Sequence, residues 1–239
     1  MTGVVLLHAF PYSPEMWQPQ FEALAGLPVV APEYLGLELN QAAKKILGEV
    51  EGLGWEQAVL VGLSMGGYVS FRIWEQAASR VAALVLADTR ATPDDEAGKA
   101  ARYSQAERIR REGTAWLPDA LIPNHLGVTT RKERPELIGW VRNMIAGADG
   151  EKVARSLEAL ASRPDSTLLL PSISVPTLVL VGEEDTLTPP AVAEAMAEAI
   201  PQSELQLVPR AGHMANLENP EMFNRALHGF LARNKLLAQ

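Results

Sequence analysis

The apolar residues of the chain fall into six short runs that are separated by polar, helix-forming segments. Each run is continuous instead of alternating between apolar and polar positions, which is typical of strands buried on both faces of a parallel sheet. We therefore predict six strands, at residues 4–7, 29–31, 58–61, 81–87, 177–181 and 205–208.

Amphipathic segments with recognisable start signals lie between these runs. Four of them begin at a side chain that favours the N-cap position of a helix: Ser13, Asn40, Thr188 and Asn219. Proline follows three of the four, as it often does in the first turn of a helix. The alternation of strands and helices predicts an α/β fold, a three-layer sandwich with a mostly parallel sheet of about six strands and right-handed crossovers.

One long segment, residues 89–171, interrupts this alternation. It contains no convincing strand, and Leu157, Leu160 and Ala161 recur at helical spacing. A segment of this length is too long for a structureless loop. We predict a core domain from residues 1–88 and 172–239, and a helical cap at residues 89–171 over the carboxyl edge of the sheet, where open α/β sheets bind ligands.

The composition restricts the partners of the chain. Its 239 residues can bury a sizeable core, and its formal net charge of −8 argues against a nucleic-acid partner, because phosphate binding needs a clustered basic excess. The longest apolar run is far shorter than the roughly 18–20 residues that span a bilayer, and no basic signal-peptide region precedes the first run. With no cysteine in the chain, disulfides and thiolate sites are excluded. We expect a cytoplasmic protein without a membrane partner.

The strongest chemical motif is Gly62-Leu63-Ser64-Met65-Gly66, which fits the pattern G-x-S-x-G. A predicted strand comes directly before it and a helical pattern directly after it, which is the context that the motif requires. A strained turn of this kind lifts a serine hydroxyl above the sheet, where it can act as a nucleophile. An ordinary glycine-rich turn is the alternative, and the flanking elements favour Ser64 as the nucleophile.

A serine nucleophile needs a base, and the base needs an orienting acid. Asp185 and His213 each follow a later predicted strand, so we expect them beside Ser64 at the carboxyl edge of the sheet. Asp88 also ends a strand and is the alternative acid, although we expect it to cap the first helix of the insertion. We assign His125 and His228 to surface or packing positions.

Four stretches of the sequence resemble the α/β-hydrolase superfamily: "LHAFPYSPEMW", "VGLSMGG", "VPTLVLVGEEDTLTP" and "AGHMANLENP". They are most similar to its capped branch of carboxylesterases, 3-oxoadipate enol-lactonases and related lyases and peroxidase-like enzymes, and "SQAERIRREGTAWLPDALIP" resembles the enol-lactonase cap. The resemblance implies a catalytic triad of Ser64, Asp185 and His213. It also implies an oxyanion hole formed by the backbone N–H groups of Phe10 and Met65.

The sequence departs from this family in two places. The family has glycine after the histidine that precedes the oxyanion-hole residue, whereas this chain has Ala9 between His8 and Phe10. Alanine supplies the same backbone geometry unless its φ is positive, so we expect the Phe10 donor to survive. The two amino-terminal strands of the family have no counterpart before Val4. We therefore expect an α/β-hydrolase sheet that lacks its first two strands.

The predicted chemistry is acyl transfer on a small-molecule substrate, with no cofactor and no metal. No two histidines stand at metal-ligand spacing, and no glycine-rich phosphate loop follows a strand. We expect first a serine hydrolase that cleaves a small carboxylic ester. An enol-lactone hydrolase, a lyase or perhydrolase with the same triad, and a ligand-binding protein that kept the triad are the alternatives.

Large side chains of the predicted cap are candidates for the substrate pocket: Trp116, Leu121, Trp140 and Met144. The cap also holds a basic run of Arg102, Arg108, Arg110 and Arg111. A solvated helix face is the first interpretation of this run. An inward-pointing arginine would instead favour a substrate that bears a carboxylate, as an enol-lactone does.

Overall fold

A computed structural model describes residues 1–236 and contains one six-stranded sheet in which every pairing is parallel. The strand order is β2-β1-β3-β4-β5-β6. The strands are β1 Thr2–Leu7, β2 Val29–Val30, β3 Gln57–Leu63, β4 Val81–Ala87, β5 Thr177–Gly182 and β6 Ser203–Val208. All six predicted strands are confirmed, and β3 extends furthest beyond its prediction, by Gln57 at its start and by Gly62 and Leu63 at its end.

Within the described residues, eleven α-helices surround the sheet. They are α1 Gln18–Ala23, α2 Leu39–Gly52, α3 Met65–Ala77, α4 Glu96–Glu112, α5 Leu117–His125, α6 Val128–Glu133, α7 Pro135–Ala146, α8 Gly150–Ala161, α9 Pro190–Ala199, α10 Ala215–Glu218 and α11 Pro220–Arg233. Short 3₁₀ turns occupy Pro14–Trp17, Ala78–Arg80 and Thr167–Ser172. The helix α2 packs on α3 and α11 packs on α1, which gives helices on both faces of the sheet.

Two of the four predicted helix starts have the expected capping side chain. Ser13 accepts a hydrogen bond from Glu15 N–H, and Asn219 accepts one from Met222 N–H. The other two predictions are wrong. Asn40 lies inside α2, whose N-cap is Glu38, and Thr188 lies before α9 with its hydroxyl committed to another side chain.

The core follows from the position of each strand in the sheet. The central strands β1, β3, β4 and β5 are buried almost throughout, whereas the edge strand β6 exposes Leu205 and Leu207. The strand order reverses between β1 and β3, because β1 leads outward to β2 and the chain then crosses back to β3. Open α/β sheets form their ligand crevice at the carboxyl ends of strands beside such a reversal.

Five helices, α4 to α8, occupy the chain between β4 and β5, where the sequence predicts a helical segment. The helix α4 packs on α8, and α5 packs on α7. The cap boundaries at residues 89 and 171 stay a prediction. In the part of the chain that the structure describes, none of the helices is both long and apolar enough to cross a membrane.

Candidate active site

Ser64 lies in the turn between β3 and α3, at φ 54° and ψ −110°. A positive φ is rare for a residue with a side chain and costs roughly 1–3 kcal/mol, so the surroundings must hold it. Ser64 N–H donates to the carbonyl of Ala87 over 2.9 Å, and the Thr89 hydroxyl donates to the carbonyl of Ser64 over 2.8 Å. The turn leaves the Ser64 side chain on the wall of a cavity.

Three glycines allow this turn to form, because the chain approaches itself closely at each of them. A Cβ on Gly62 would lie 2.4 Å from the carbonyl oxygen of Gly66, and a Cβ on Gly66 would lie 2.1 Å from the carbonyl oxygen of Leu7. A Cβ on Gly67 would lie 2.4 Å from the Thr89 hydroxyl. These three positions therefore require glycine, because any side chain there would overlap neighbouring atoms.

Gly66→Ala is expected to lower the free energy of unfolding by roughly 3 kcal/mol, because its clash is with backbone and the strand or the helix must move. The matched control is Gly48→Ala, on an exposed turn of α2 where an added Cβ meets nothing within 4 Å. There alanine is expected to stabilise the helix by about 0.5–1 kcal/mol. Urea unfolding of both variants measures the difference, and equal stabilities would contradict the contact argument.

His213 joins Ser64 to Asp185 in one hydrogen-bonded chain. The Nε2 atom of His213 lies 2.8 Å from the Ser64 hydroxyl, and its Nδ1 atom lies 2.8 Å from Oδ2 of Asp185. Asp185 follows β5 and His213 follows β6, so the carboxyl ends of the parallel strands bring them together. An ionised Asp185 accepts from Nδ1–H, which leaves Nε2 to accept the proton of the Ser64 hydroxyl.

Asp185 is buried but its charge is well compensated. Leu187 N–H and Thr188 N–H donate to Oδ1 over 2.8 and 3.0 Å, and the Thr188 hydroxyl donates to Oδ2 over 2.6 Å. Burial acts to raise the pKa of Asp185, but the His213 ring and the Thr188 donors outweigh it and leave the pKa below its usual value. The carboxylate is therefore ionised at neutral pH and can fix the orientation of His213.

Asp88, the alternative acid, does not cap α4, the first helix of the insertion, so that prediction is wrong. It is fully buried at φ 45°, and it accepts from Gly182 N–H over 2.8 Å and from Ala215 N–H over 3.4 Å. The cap of α4 is Asp95 instead. Burial, reinforced by the charge of Asp185, raises the pKa of Asp88 well above its usual value. Asp88 thus joins the ends of β4 and β5 to the segment that follows His213.

Glu218 holds the loop that carries His213, a contact that the sequence analysis missed. Its buried carboxylate accepts from Gly212 N–H over 2.9 Å and from Met214 N–H over 3.2 Å, the amides on either side of His213. It also accepts from Gly127 N–H over 2.7 Å, which ties the helical insertion to the same loop. A glutamate inside an otherwise uncharged, partly apolar stretch was the only sequence signal of this role.

The two residues whose backbone N–H groups the sequence singles out both belong to the cavity beside Ser64. Phe10 and Met65 line it, and across residues 1–236 neither of their N–H groups donates to another protein group. Ala9 is buried and is not among the described residues with positive φ, so it adopts a backbone that any residue tolerates. Replacing glycine by Ala9 therefore leaves the Phe10 N–H group available.

The cavity beside Ser64 has a volume of about 290 Å³ and lies between the sheet and the helical insertion. On one side the cavity is lined by residues that follow the strands: Phe10, Ser64, Met65, Leu187, Thr188 and His213. On the other side it is lined by residues between β4 and β5, which include Arg90, Asp94, Arg102, Gln105, Leu121, Asn124, His125 and Leu160. One wall is thus chemically reactive, and the opposite wall is mixed apolar and charged.

Of the four predicted pocket residues, only Leu121 lines this cavity. Trp116 instead stacks against Arg108, whose guanidinium carbon lies 3.9 Å from the centre of the Trp116 ring. Trp140 lines a separate surface groove beside α1, and Met144 lines another. These three predictions are wrong: Trp116 precedes α5 and stacks against Arg108, and α7 carries Trp140 and Met144 to grooves that Ser64 does not line.

His125 is a cavity residue, which corrects its assignment to the surface or to packing. Its Nδ1 atom lies 2.8 Å from the Tyr12 hydroxyl, and its ring centre is 5.6 Å from that of His213. Burial, and then the positive charge that His213 can carry, lower the pKa of His125 to about 3. The ring is therefore neutral beside His213 at ordinary pH. His228, on α11, stays a packing residue that contacts the carbonyl of Ala23.

The basic run divides into one inward and three outward side chains. Arg102 lines the cavity, where its Nε atom donates to Asp94. Arg108 and Arg111 pair with Glu112, and Arg110 pairs with Glu151 and Glu158, all on the exposed side of the insertion. The solvated-face interpretation holds for three residues and is wrong for Arg102.

Among the described residues, no group of three or more histidine or acidic side chains is arranged to hold a metal ion. A histidine nitrogen lies within hydrogen-bond distance of the Ser64 hydroxyl, and an arrangement of this kind is chemically capable of proton transfer. Together, the parallel sheet, the strained serine turn and the Ser64–His213–Asp185 chain define the class of α/β enzymes that carry a nucleophile on a strand-to-helix turn.

A family model for the alpha/beta hydrolase family matches residues 4–226. The chain belongs to this family and is a hydrolase. The chain is 28% identical, over 90% of its length and 83% of the relative, to 3-oxoadipate enol-lactonase 1 of Acinetobacter baylyi.

Solved structures agree with this assignment. A thermophilic esterase from Thermogutta terrifontis, solved with malate bound, is 39% identical with a TM-score of 0.95, over 98% of this chain and 90% of that one. The enol-lactonase from Burkholderia xenovorans is 25% identical with a TM-score of 0.88, over 97% of this chain and 92% of that one. The expected resemblance to esterases and enol-lactonases is confirmed.

Proposed function

We propose that the protein hydrolyses small carboxylic esters through an acyl-enzyme on Ser64. The observation that carries this proposal is the chain from Ser64 through His213 to Asp185, with 2.8 Å at each link. The nucleophile, its base and an ionised orienting acid are the parts that acyl transfer needs, and they meet on one wall of a cavity. The similarity to an esterase of 39% identity also supports it.

In the proposed first step, Ser64 attacks the ester carbonyl carbon while His213 takes the hydroxyl proton. Asp185 stabilises the resulting imidazolium, and the free N–H groups of Phe10 and Met65 hold the oxyanion of the tetrahedral intermediate. When the intermediate collapses, the bond to the leaving oxygen breaks and His213 returns the proton to that oxygen. Ser64 is left as an acyl ester, and the alcohol departs.

In the proposed second step, water attacks the acyl carbon and gives a proton to His213. Collapse then breaks the bond to Ser64, which regains its proton, and releases the carboxylic acid. We propose that the insertion, residues 89–171, acts as a cap that limits access of water and substrate to the cavity. Leu121, His125 and Leu160 lie on its cavity side and support this role.

The experiment that tests the proposal combines hydrolysis of p-nitrophenyl acetate and butyrate with a fluorophosphonate probe. We expect turnover of both esters, and we expect mass spectrometry of the labelled protein to find the phosphonyl group on Ser64. The two readouts are independent, because labelling requires only an activated serine whereas turnover also requires deacylation. A protein that neither hydrolyses these esters nor takes the label would contradict the proposal.

Enol-lactone hydrolysis is the second candidate. The similarity to enol-lactonases from Acinetobacter baylyi, at 28% identity, and Burkholderia xenovorans, at 25% identity, supports this candidate. A lactone is an internal ester, so the same Ser64 chemistry would open its ring. A screen of short acyl esters, aryl esters and lactones distinguishes the two candidates by kcat/KM.

A further inference from the structure

Three arginines surround one carboxylate in the cavity wall. The Asp94 carboxylate accepts at Oδ1 from Arg90 over 2.6 Å and from Arg163 over 2.9 Å. The other oxygen, Oδ2, lies 2.8 Å from the second terminal nitrogen of Arg163. Oδ2 also accepts a hydrogen bond from Nε of Arg102. The cluster joins three parts of the chain: the segment after β4, the helix α4 and the segment after α8.

This cluster is not balanced in charge. Burial acts to raise the pKa of Asp94, but Arg163 and Arg102 outweigh it and hold the pKa well below its usual range. Asp94 therefore carries one negative charge against three guanidinium charges. The adjacent acids do not make up the difference, because Asp95 caps α4 and Glu96 pairs with Lys99 at the surface.

A purely structural role accounts for only part of the cluster. Arg163 is buried, with its side chain 2% exposed, and it contacts both carboxylate oxygens of Asp94, so this pair alone is neutral. Arg90 and Arg102 add two further charges at the cavity, with side chains 29% and 23% exposed. Placing unpaired charge in a partly desolvated wall is unfavourable unless an anion joins it.

Arg102 has the geometry to hold such an anion. Only its Nε atom is used by Asp94; within the described chain, neither terminal nitrogen donates to a protein acceptor, and neither is sealed from solvent. The two terminal nitrogens of a guanidinium present parallel N–H donors at the spacing of the two oxygens of a carboxylate. The Nε atom of Arg90 is buried without a partner in the same cluster.

We infer that Arg102, supported by Arg90, forms an anion subsite that binds a free carboxylate on the substrate. The inference rests on the proposed function, and it names the substrate class as small esters or lactones that carry a carboxylate apart from the scissile bond. The subsite and Ser64 lie on the wall of one cavity, so a single small molecule reaches both. Asp94 and Arg163 hold Arg102 in place and do not contact the substrate.

The test compares matched charged and neutral esters on the whole protein, with active sites counted by fluorophosphonate labelling. One pair is the mono-p-nitrophenyl ester of adipic acid and p-nitrophenyl hexanoate, which puts the carboxylate in the acyl group. The other pair is 4-acetoxybenzoate and 4-acetoxybenzamide, which puts it in the leaving group. After correction for spontaneous hydrolysis, kcat/KM is expected to favour the charged member of at least one pair by about tenfold or more.

The decisive variant is Arg102→Gln, with Arg108→Gln as its control. Arg102→Gln is expected to lower the charged-to-neutral ratio of kcat/KM by about 10- to 100-fold, mainly through KM, because a charge-assisted hydrogen bond is lost. Asp94 keeps Arg163 and Arg90, so the fold should persist, which circular dichroism checks. Arg108 lies on the same helix but does not line the cavity, since it pairs with Glu112 and stacks on Trp116, so Arg108→Gln should leave the ratio unchanged.

Binding of adipate, measured by calorimetry, tests the subsite without hydrolysis. Its Kd is expected to rise about tenfold or more in Arg102→Gln and to stay constant in Arg108→Gln. Failure of Ser64 labelling and of all turnover would contradict the proposed function, and adipate binding would still decide the subsite. An unchanged charged-to-neutral ratio in Arg102→Gln, or unchanged adipate affinity, would overturn the subsite even if Ser64 is active.

Discussion

Ser64→Ala is expected to lower kcat for p-nitrophenyl butyrate by about 10⁴- to 10⁶-fold, to the level that the oxyanion donors and substrate binding alone can supply. The reason is that the covalent route disappears: His213 no longer has a hydroxyl to deprotonate, and water must attack the bound ester directly. The N–H groups of Phe10 and Met65 remain, so KM should change much less than kcat. Steady-state kinetics with active protein concentrations measured before the assay give both values.

The matched control is Ser70→Ala. Ser70 is buried on the same helix α3, and its hydroxyl donates to the carbonyl of Gly66 over 2.9 Å within the helix. We expect this variant to keep kcat within a few-fold of the parent and to keep fluorophosphonate labelling, which Ser64→Ala should lose. Retained turnover in Ser64→Ala would mean that another group carries the reaction, and the proposed function would be wrong.

Asp185→Asn is expected to lower kcat by about 10⁴-fold while leaving the fold intact. Asparagine cannot stabilise an imidazolium with a negative charge, and its amide nitrogen can turn toward Nδ1 and favour the wrong tautomer of His213. Thr188 and Leu187 still have an oxygen to bind, so the loop should keep its shape. The loss should appear in kcat at every pH at which the parent is active.

Asp88→Asn is the informative comparison, because Asp88 is the other acid at the strand ends. Burial, and then the charge of Asp185, raise the pKa of Asp88 well above its usual value, so the negative charge is less favourable here than on an exposed aspartate. An amide oxygen can still accept from Gly182 N–H, so kcat is expected to stay within about tenfold of the parent. If Asp88→Asn loses activity by orders of magnitude and Asp185→Asn does not, Asp185 is not the orienting acid.

Much of the fold follows from short stretches of sequence. A continuous apolar run specifies a buried parallel strand, because no other short element buries both of its faces, and all six strands are present where such runs occur. The placement of Ser64, Asp185 and His213 was predictable for the same reason. Each follows a strand, and parallel strands deliver their carboxyl ends to one edge.

The lining of the cavity depends on how the insertion is seated, which local sequence does not specify. The sequence predicts that the insertion is helical, but the rotation of α5 and α7 about their axes is decided by packing. That rotation brings His125 and Leu121 to the cavity and turns Trp140 and Met144 away from it. Arg102 differs from its exposed neighbours for the same reason, since only the fold brings Asp94 to it.

The sequence by itself determined the class of fold, the order of the strands along the chain and the three groups of the proposed triad, because these depend on patterns within a few residues. Only the tertiary structure decided the raised pKa of Asp88, the neutral state of His125 and the charge excess around Asp94. Those properties depend on burial and on charges that lie far apart in the chain. The electrostatics of a site are set by distances in space, and the order of residues does not contain them.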